Sequence, residues 1–520
     1  MLIPLTIKKV IDHDRLALPG RWHGAPNTPR DPFYESRLRR GARMKTRVLL
    51  ATSLVAFLVA CGARTDVSIA HAGAGMPDAG VDASVADANS TEGSLDASVS
   101  LHVRSVAAGG SHTCVILDEA SVKCWGYNLE GQLGLGDKND RGDASNEMGD
   151  ALPKVDLGTG HTAKAISAGK HHTCVILDDD GVKCWGYNSI GQLGLGDKND
   201  RGDTPNEMGD ALPKVDLGAG HIAKALSAGD SHTCVILDDD SVKCWGYNSN
   251  GQLGLGDKND RGDGPNEMGD MLPKVDLGAG HTAKALSTGN THTCVILDDN
   301  GVKCWGYNEQ GQLGLGDMNN RGAAPNEMGD VLAKVDLGQG HTAKALSAGY
   351  LYTCAILDDN SVKCWGNNEL GALGLGDKND RGDGPNEMGD MLLKVDLGAG
   401  HTATALSAGT AHTCAILDDN SVKCWGNNEL GALGLGDTNS RGDTQNEMGD
   451  MLPKVDVGAG HTANVTPVGS FHTCVILDDN SVKCWGYNAH GQLGLGDKNN
   501  HGDAPNEMGD MLPKVNVGTR

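Results

Sequence analysis

His172-Thr173-Cys174-Val175-Ile176-Leu177-Asp178-Asp179-Asp180-Gly181-Val182-Lys183-Cys184-Trp185-Gly186 is the stretch whose reading decides the fold. Two runs rich in β-branched residues flank the polar turn 178–181, which is a hairpin signal. Pairing the strands about residue 179 sets Cys174 opposite Cys184 on one sheet face, close enough for a disulfide where the pair is not hydrogen-bonded. The stretch recurs with a period of 60. First cysteines fall at Cys114, Cys174, Cys234, Cys294, Cys354, Cys414 and Cys474, and their partners at Cys124, Cys184, Cys244, Cys304, Cys364, Cys424 and Cys484. Such self-similarity overrides the domain count that 520 residues would otherwise suggest.

Outward from the hairpin, 164–168 reads as a strand ending at Gly169, and 213–217, after a long polar loop, as another. One unit is too small to bury its own apolar face, so stacked neighbours must supply the partner. Aromatics make up only 4% and glycines number 75, so the core rests on Val, Ile, Leu, one Trp per repeat and the cystines. An eleven-residue disulfide loop stabilises by roughly 2.5–3 kcal/mol in the chain-entropy model. A rival reading takes His172, Cys174 and Cys184 as zinc ligands, but three of four tetrahedral ligands is incomplete and Tyr352 replaces the histidine in repeat five.

The net charge of -24 argues against nucleic acid, whose phosphates need clustered Lys and Arg. Fourteen paired cysteines point to an oxidising compartment. The fifteenth, Cys61, stands apart. Met44-Lys45-Thr46-Arg47 is a basic start, 48–59 is apolar, and Leu58-Val59-Ala60-Cys61 follows, the layout of a secretory signal at 44–60. The apolar run is short for a membrane span. The tetrapeptide resembles the bacterial lipobox, which implies a diacylated Cys61 at the mature amino terminus. An ordinary cleaved signal, or an uncleaved anchor with a coincidental cysteine, is the alternative. Gly62 after the cysteine favours the outer membrane or cell surface under the sorting rule of some Gram-negative bacteria. Residues 1–43 are expected to be a mis-annotated upstream extension, with Met44 as the true start. The segment 61–100, poor in large apolar residues, reads as lipidated cysteine plus flexible acidic tether.

Gly169-x-x-His172-Thr173, followed by Val182-x-x-Trp185-Gly186-x-Asn188-x-x-Gly191-Gln192-Leu193-Gly194, resembles the repeat of the regulator of chromosome condensation family. The resemblance covers 101–520 and recurs seven times. It implies an all-β fold: a seven-bladed β-propeller of four-stranded blades, each with one disulfide-stapled hairpin. Ala372 and Ala432 replace the Gln in repeats five and six, and the cysteine pair and long insert depart from the minimal pattern. These departures weaken transfer of activity. The family's nucleotide exchange requires a cytosolic small GTPase, which an exported lipoprotein would not meet.

Alternation of strand direction places the loop between strands one and two and the loop after strand three on one face. The hairpin turn and the crossing near Gly160-His161 fall on the other. Differences among the seven copies concentrate in two residue pairs on the first face, several of them apolar in polar loops: Ile190, Tyr350, Leu351, Leu370, Leu430 and Phe471. They read as a candidate protein-binding rim, with drift at unconstrained loop tips as the alternative. The long loop carries Asp197, Asn199, Asp203, Glu207 and Asp210, a weak calcium candidate. Arg201 and Met208 stand at positions five and twelve, where a helix-loop-helix calcium site has ligands, so Asx-turn bonding is the alternative. Arg-Gly-Asp in five repeats, from Arg141, Arg201, Arg261, Arg381 and Arg441, matches the integrin tripeptide, though duplication multiplies coincidence.

No asymmetric set of acid, base and nucleophile is visible. The expectation is therefore a surface-anchored, non-catalytic, monomeric binding or scaffold propeller without a cofactor, engaging an extracellular or periplasmic protein or glycan through one loop face. A secreted enzyme, or an enzyme inhibitor using the propeller axis, is the second expectation.

Overall fold

The structure, a computed structural model, describes residues 101–519. The extension 1–43, the signal 44–60, Cys61 and the tether lie outside the described residues.

Each repeat forms one three-stranded sheet with its strands in chain order, seven sheets in all among the described residues. In blade two the strands are Ala163–Ala168, His172–Leu177 and Val182–Gly186. The hairpin register sets Cys174 against Cys184 and Ile176 against Val182, as the turn-centred pairing predicts. The turn closes through Leu177 N–H to Gly181 O at 2.8 Å and Asp180 N–H to Leu177 O at 3.0 Å. Asp180 sits at φ 63°, a left-handed conformation that Asp and Asn adopt at less cost than most residues. Blade one places Ala120 there, at φ 64°. All seven cystines form, each with Cα atoms 4.1 Å apart, as suits a facing non-hydrogen-bonded pair.

Blades have three strands rather than the expected four. The segment 213–217 is extended, but its described backbone bonds its own blade only through Val215 N–H to Val182 O at 2.8 Å. Pro213 has no N–H to give. The segment's carbonyls turn to the next blade, Asp216 O accepting from Gly269 N and Leu217 O from Lys243 Nζ, both at 3.0 Å. A segment that divides its polar groups between two blades cannot extend one ladder.

The core lies between blades. One cluster joins Cys174, Ile176, Val182 and Cys184 of blade two to Val235, Leu237 and Trp245 of blade three. The same arrangement joins Cys474, Ile476, Val482 and Cys484 of blade seven to Val115, Leu117 and Trp125 of blade one, so the stack closes into a ring. Among the described residues, no strand is exchanged at closure. Leu101 N–H donates to Gly518 O at 3.1 Å, and Lys123 Nζ donates to Val517 O at 3.0 Å.

A buried polar belt ties each blade to the next. Thr173 Oγ1 and Trp185 Nε1 both donate to Gln132 O of the preceding blade, at 2.9 and 3.0 Å. With its one proton committed, Thr173 Oγ1 accepts from His112 Nε2 at 2.9 Å, which assigns the Nε2–H tautomer. The pattern runs around the ring to His472 and Thr113 at 2.9 Å. Ala372 and Ala432 preserve it because the acceptor is the backbone carbonyl. Tyr352 preserves it by reach, its hydroxyl donating to His412 O at 2.7 Å and lying 3.0 Å from Thr413 Oγ1.

Candidate functional site

The first strands line the axis and pack through small residues. Ser167 Oγ accepts from Ala228 N at 3.0 Å, and Ser287 and Ser347 repeat the bond to the following blade at 2.9 Å. Ala107 in blade one and Pro467 in blade seven stand where the other blades carry this serine. At one mouth of the axis, backbone bonds such as Gly110 N–H to Gly169 O at 3.2 Å and Asp230 N–H to Gly289 O at 3.3 Å draw together the first residues of the loops between strands one and two. These positions carry unlike side chains, among them Lys170, Asp230, Asn290 and Tyr350. Lys170 Nζ lies 3.9 Å from Asp230 Oδ1. Burial lifts the Asp230 carboxyl to about 7, with Lys170 opposing the rise.

The loop after strand three opens on this same face, since Tyr187 N–H donates to His171 O at 2.9 Å. The hairpin turn and the inter-blade crossing meet on the other, where Asp178 N–H donates to Thr162 O at 2.9 Å and His161 Nδ1 lies 3.0 Å from Asp178 Oδ1. Both variable pairs therefore share one face, as the topology requires. Tyr350, Leu351, Leu370, Leu430 and Phe471 sit on blades five to seven, and Ile190 on blade two; all six are half-buried. Among the described residues, the most exposed large apolar side chains lie elsewhere, on short 3-10 turns: Met271 at 69%, with Val331, Met391, Met451 and Met511 equivalent. Their residue type varies from copy to copy, and sequence reasoning passed over them. A cleft of about 460 Å³ opens beside one of these turns between blades six and seven, lined by Leu435, Pro453, Asp456, Pro505 and Met508.

Across seams on the loop face, the residue before the first Gly of Gly-Gln-Leu-Gly, or of its Gly-Ala form, meets the residue after Trp-Gly of the next blade. His490 packs on Tyr127 with ring centroids 4.7 Å apart, and Asn367 Nδ2 donates to Gln310 Oε1 at 3.1 Å. Close approach here demands glycine. A Cβ on Gly191, at φ 75°, would lie 2.3 Å from Asp263 N.

The calcium candidates do not converge as a set, although the Asp203 and Glu207 carboxyls share a hydrogen bond. Asp197 accepts from Asn199 N at 2.9 Å, an Asx turn, and pairs with Arg201 at 2.6 Å. Asp203 pairs with Lys138 of the preceding blade at 2.8 Å. Glu207 accepts from Gly202 and Thr204 N–H groups at 3.0 and 3.2 Å. Asp210 turns away to Thr159, accepting from its N–H at 2.8 Å and its hydroxyl at 2.7 Å. Arg-Gly-Asp is likewise consumed internally, with Arg201 folded onto Asp197, Asn199 and Asp200. A different set gathers metal-ligating atoms on the hairpin face: His161, Asp178 and Asp179 lie within 4.8 Å of one another, and the triad recurs in later blades. It is already balanced, since His161 pairs with Asp178, and Asp179 with Lys214.

Sequence reasoning also missed Lys183. It is 3% exposed, and its ammonium donates to Gly209 O at 2.7 Å and Leu157 O at 3.0 Å, closing the 3-10 turn Gly209–Ala211. Burial pushes its pKa down. A lysine kept in every copy inside an otherwise apolar strand was the available signal.

The RCC1-like domain matches residues 215–519, and the regulator of chromosome condensation (RCC1) repeat matches 103–132, 163–192 and, in a second form, 121–176. The chain belongs to the RCC1-like family. Among RCC1-like relatives, the ultraviolet-B receptor UVR8 of Arabidopsis thaliana is 30% identical over 403 residues, covering 75% of this chain and 78% of that protein. Protein pim1 of Schizosaccharomyces pombe is 26% identical, covering 64% of this chain and 60% of its own. Two solved structures share the RCC1-like fold. Prp20p of Saccharomyces cerevisiae, reported with its binding to Gsp1p and histones, has TM-score 0.53 and 19% identity over 70% of this chain and 80% of that one. Human WBSCR16 has TM-score 0.52 and 21% identity over 72% and 86%.

Proposed function

We propose that this RCC1-like protein is a non-catalytic, monomeric binding or scaffold module, exported and held at a membrane by lipid on Cys61, and engaging a protein or glycan through its loop face. The observation that carries the reading is the concentration of copy-to-copy variation in two residue pairs on that face, while the belt, core and hairpins stay nearly uniform. Relatives support the coarser idea: one is named as a receptor, and another was reported with its protein partners. Tyr350, Leu351 and Phe471 form the apolar part of the surface. The fourteen half-cystines fit an oxidising compartment. With a net charge of -24, nucleic acid is not the expected partner.

The test is affinity capture of envelope proteins and glycans on the full chain, beside a variant carrying Tyr350→Ser, Leu351→Ser and Phe471→Ser. Capture lost in the variant with an unchanged melting temperature supports the reading; equal capture by both overturns it. Cys61→Ser should abolish incorporation of labelled palmitate, and incorporation that persists would remove the anchor from the proposal.

A second reading, an enzyme or inhibitor acting at the axis, draws on Asp230. A carboxyl lifted to about 7 lies in the range of a general acid or base. Asp230→Asn would then abolish that activity while leaving capture by the loop face intact.

A further inference from the structure

Near-identical copies make unusual residues conspicuous, and three of them meet in one place. Glu130 is the only glutamate at its position among Glu130, Ile190, Asn250, Gln310, Leu370, Leu430 and His490, and His490 is the only histidine there. His171 is the only histidine among Ser111, His171, Ser231, Thr291, Leu351, Ala411 and Phe471. They come from blades one, seven and two, yet all surround Tyr127. Tyr127 OH lies 3.5 Å from Glu130 Oε1, and its ring centroid lies 4.7 Å from that of His490 and 6.0 Å from that of His171. The His171 ring also lies 6.3 Å from that of Tyr187, and the His490 ring 6.4 Å from that of Tyr487. Drift at loop tips gives no reason for singular residues of three repeats to share one neighbour.

The site is rich in acceptors and poor in donors. Glu130 accepts from Gln132 Nε2 at 3.2 Å, and its other polar neighbours are Tyr127 and, at 3.6 Å, His171 Nδ1. His171 Nδ1 is itself buried without a hydrogen bond. Asp140 accepts from Asn128 N at 2.9 Å and faces His490 Nδ1 at 3.0 Å, and Asp200 of the next blade accepts from Asn188 N at 2.7 Å. Among the described residues, no Lys or Arg is ion-paired to Glu130, Asp140 or Asp200; the nearby Lys138 is committed to Asp203 at 2.8 Å. Burial, reinforced by Asp200, holds the Glu130 carboxyl above its ordinary range, and burial also raises that of Asp200. Burial, with Lys170 adding to it, pushes the His171 imidazole well below its ordinary range. Lys138 and Lys498 act on Asp200 and Asp140 from a distance, but no positively charged donor bonds the three carboxylates, which stand beside aromatic rings suited to a cation.

We infer that the cluster around Tyr127, formed with Glu130, Asp140, Asp200, His171 and His490, is the seat for one basic side chain, a lysine or arginine, projecting from a protein partner. This rests on the loop face being the binding surface, and it makes that partner a protein with a basic patch. The apolar residues of blades five to seven then take the partner's apolar contact, and the Tyr127 cluster sets its orientation on the ring.

The probe is a fluorescein-labelled hexalysine peptide, its anisotropy followed against the full chain at 0.1 M salt. The Glu130→Gln, Asp140→Asn double variant should weaken binding at least fivefold. The Glu309→Gln, Glu369→Gln double variant removes as much charge from the same face and should change binding less than twofold. Tyr127→Leu should weaken binding with both carboxylates retained. Equal losses in the two double variants would reduce the effect to net charge and overturn the site, as would no measurable binding by the unaltered protein. Either failure leaves capture through Tyr350, Leu351 and Phe471 to be judged by its own experiment.

Discussion

Lowering the pH should unfold this protein through its own belt. His112, His172, His232 and His472 are fully buried, and burial pushes each imidazole down to about 3; neighbouring histidines add to the effect at His112 and His232. An unfolded histidine titrates near 6.5. Because the folded value is the lower, the unfolded chain takes up the proton first. Stability is therefore full above about pH 6.5, falls as pH drops toward 3, and falls no further on this account below that. Each group costs about 1.4 kcal/mol per pH unit within the window, or about 3 kcal/mol at pH 4 relative to pH 7. Four of them acting together would cost on the order of 12 kcal/mol, comparable to the whole stability of an ordinary domain. The ion-paired aspartates whose carboxyls lie below their ordinary range, Asp179 among them, release their contribution at lower pH, while Asp230, lifted to about 7, gains stability as pH falls and offsets about one of the four histidines between pH 6.5 and 4.5. The assay is urea unfolding followed by tryptophan fluorescence at half-unit steps across that range. His172→Tyr, which copies the natural exchange at Tyr352, removes one titrating group while keeping a hydroxyl that can reach Thr233. It should lower the slope of stability against pH by about 1.4 kcal/mol per unit. An unchanged slope, or wild-type stability that is flat between pH 6.5 and 4.5, would refute the reasoning.

Removing one staple with Cys174→Ser and Cys184→Ser should cost roughly 2.5–3 kcal/mol, read as a lower urea midpoint. Ala120→Asn should raise stability by about 0.5–1 kcal/mol in calorimetry, because φ 64° suits Asn better than Ala and the other blades carry Asp or Asn there. Lys183→Met should lose about 1–3 kcal/mol by leaving Gly209 O and Leu157 O without their buried donor, with the loss seen in thermal melts and loop-face capture unchanged.

The sequence by itself determined what is local or periodic. The 60-residue spacing set the number of blades, and the turn 178–181 set the hairpin register and hence which cysteines meet, because strand pairing about a tight turn leaves little freedom. Up-and-down alternation also assigned the faces. The expected count of strands per blade misread 213–217, because an apolar alternation says which side chains are buried and not whether the backbone bonds its own blade or is shared with the next. The reason for the histidine, threonine and tryptophan in every copy was equally out of reach. Their partners are about 40 to 60 residues away, and one is a main-chain carbonyl that no side-chain pattern reports. The partners of the loop carboxylates, a weak calcium candidate in the sequence, were also out of reach: the fold turns them toward Arg201, Lys138 and Thr159. Only ring closure brought Glu130, His171 and His490 around one tyrosine, since it makes residues 490 and 127, at opposite ends of the propeller sequence, into neighbours.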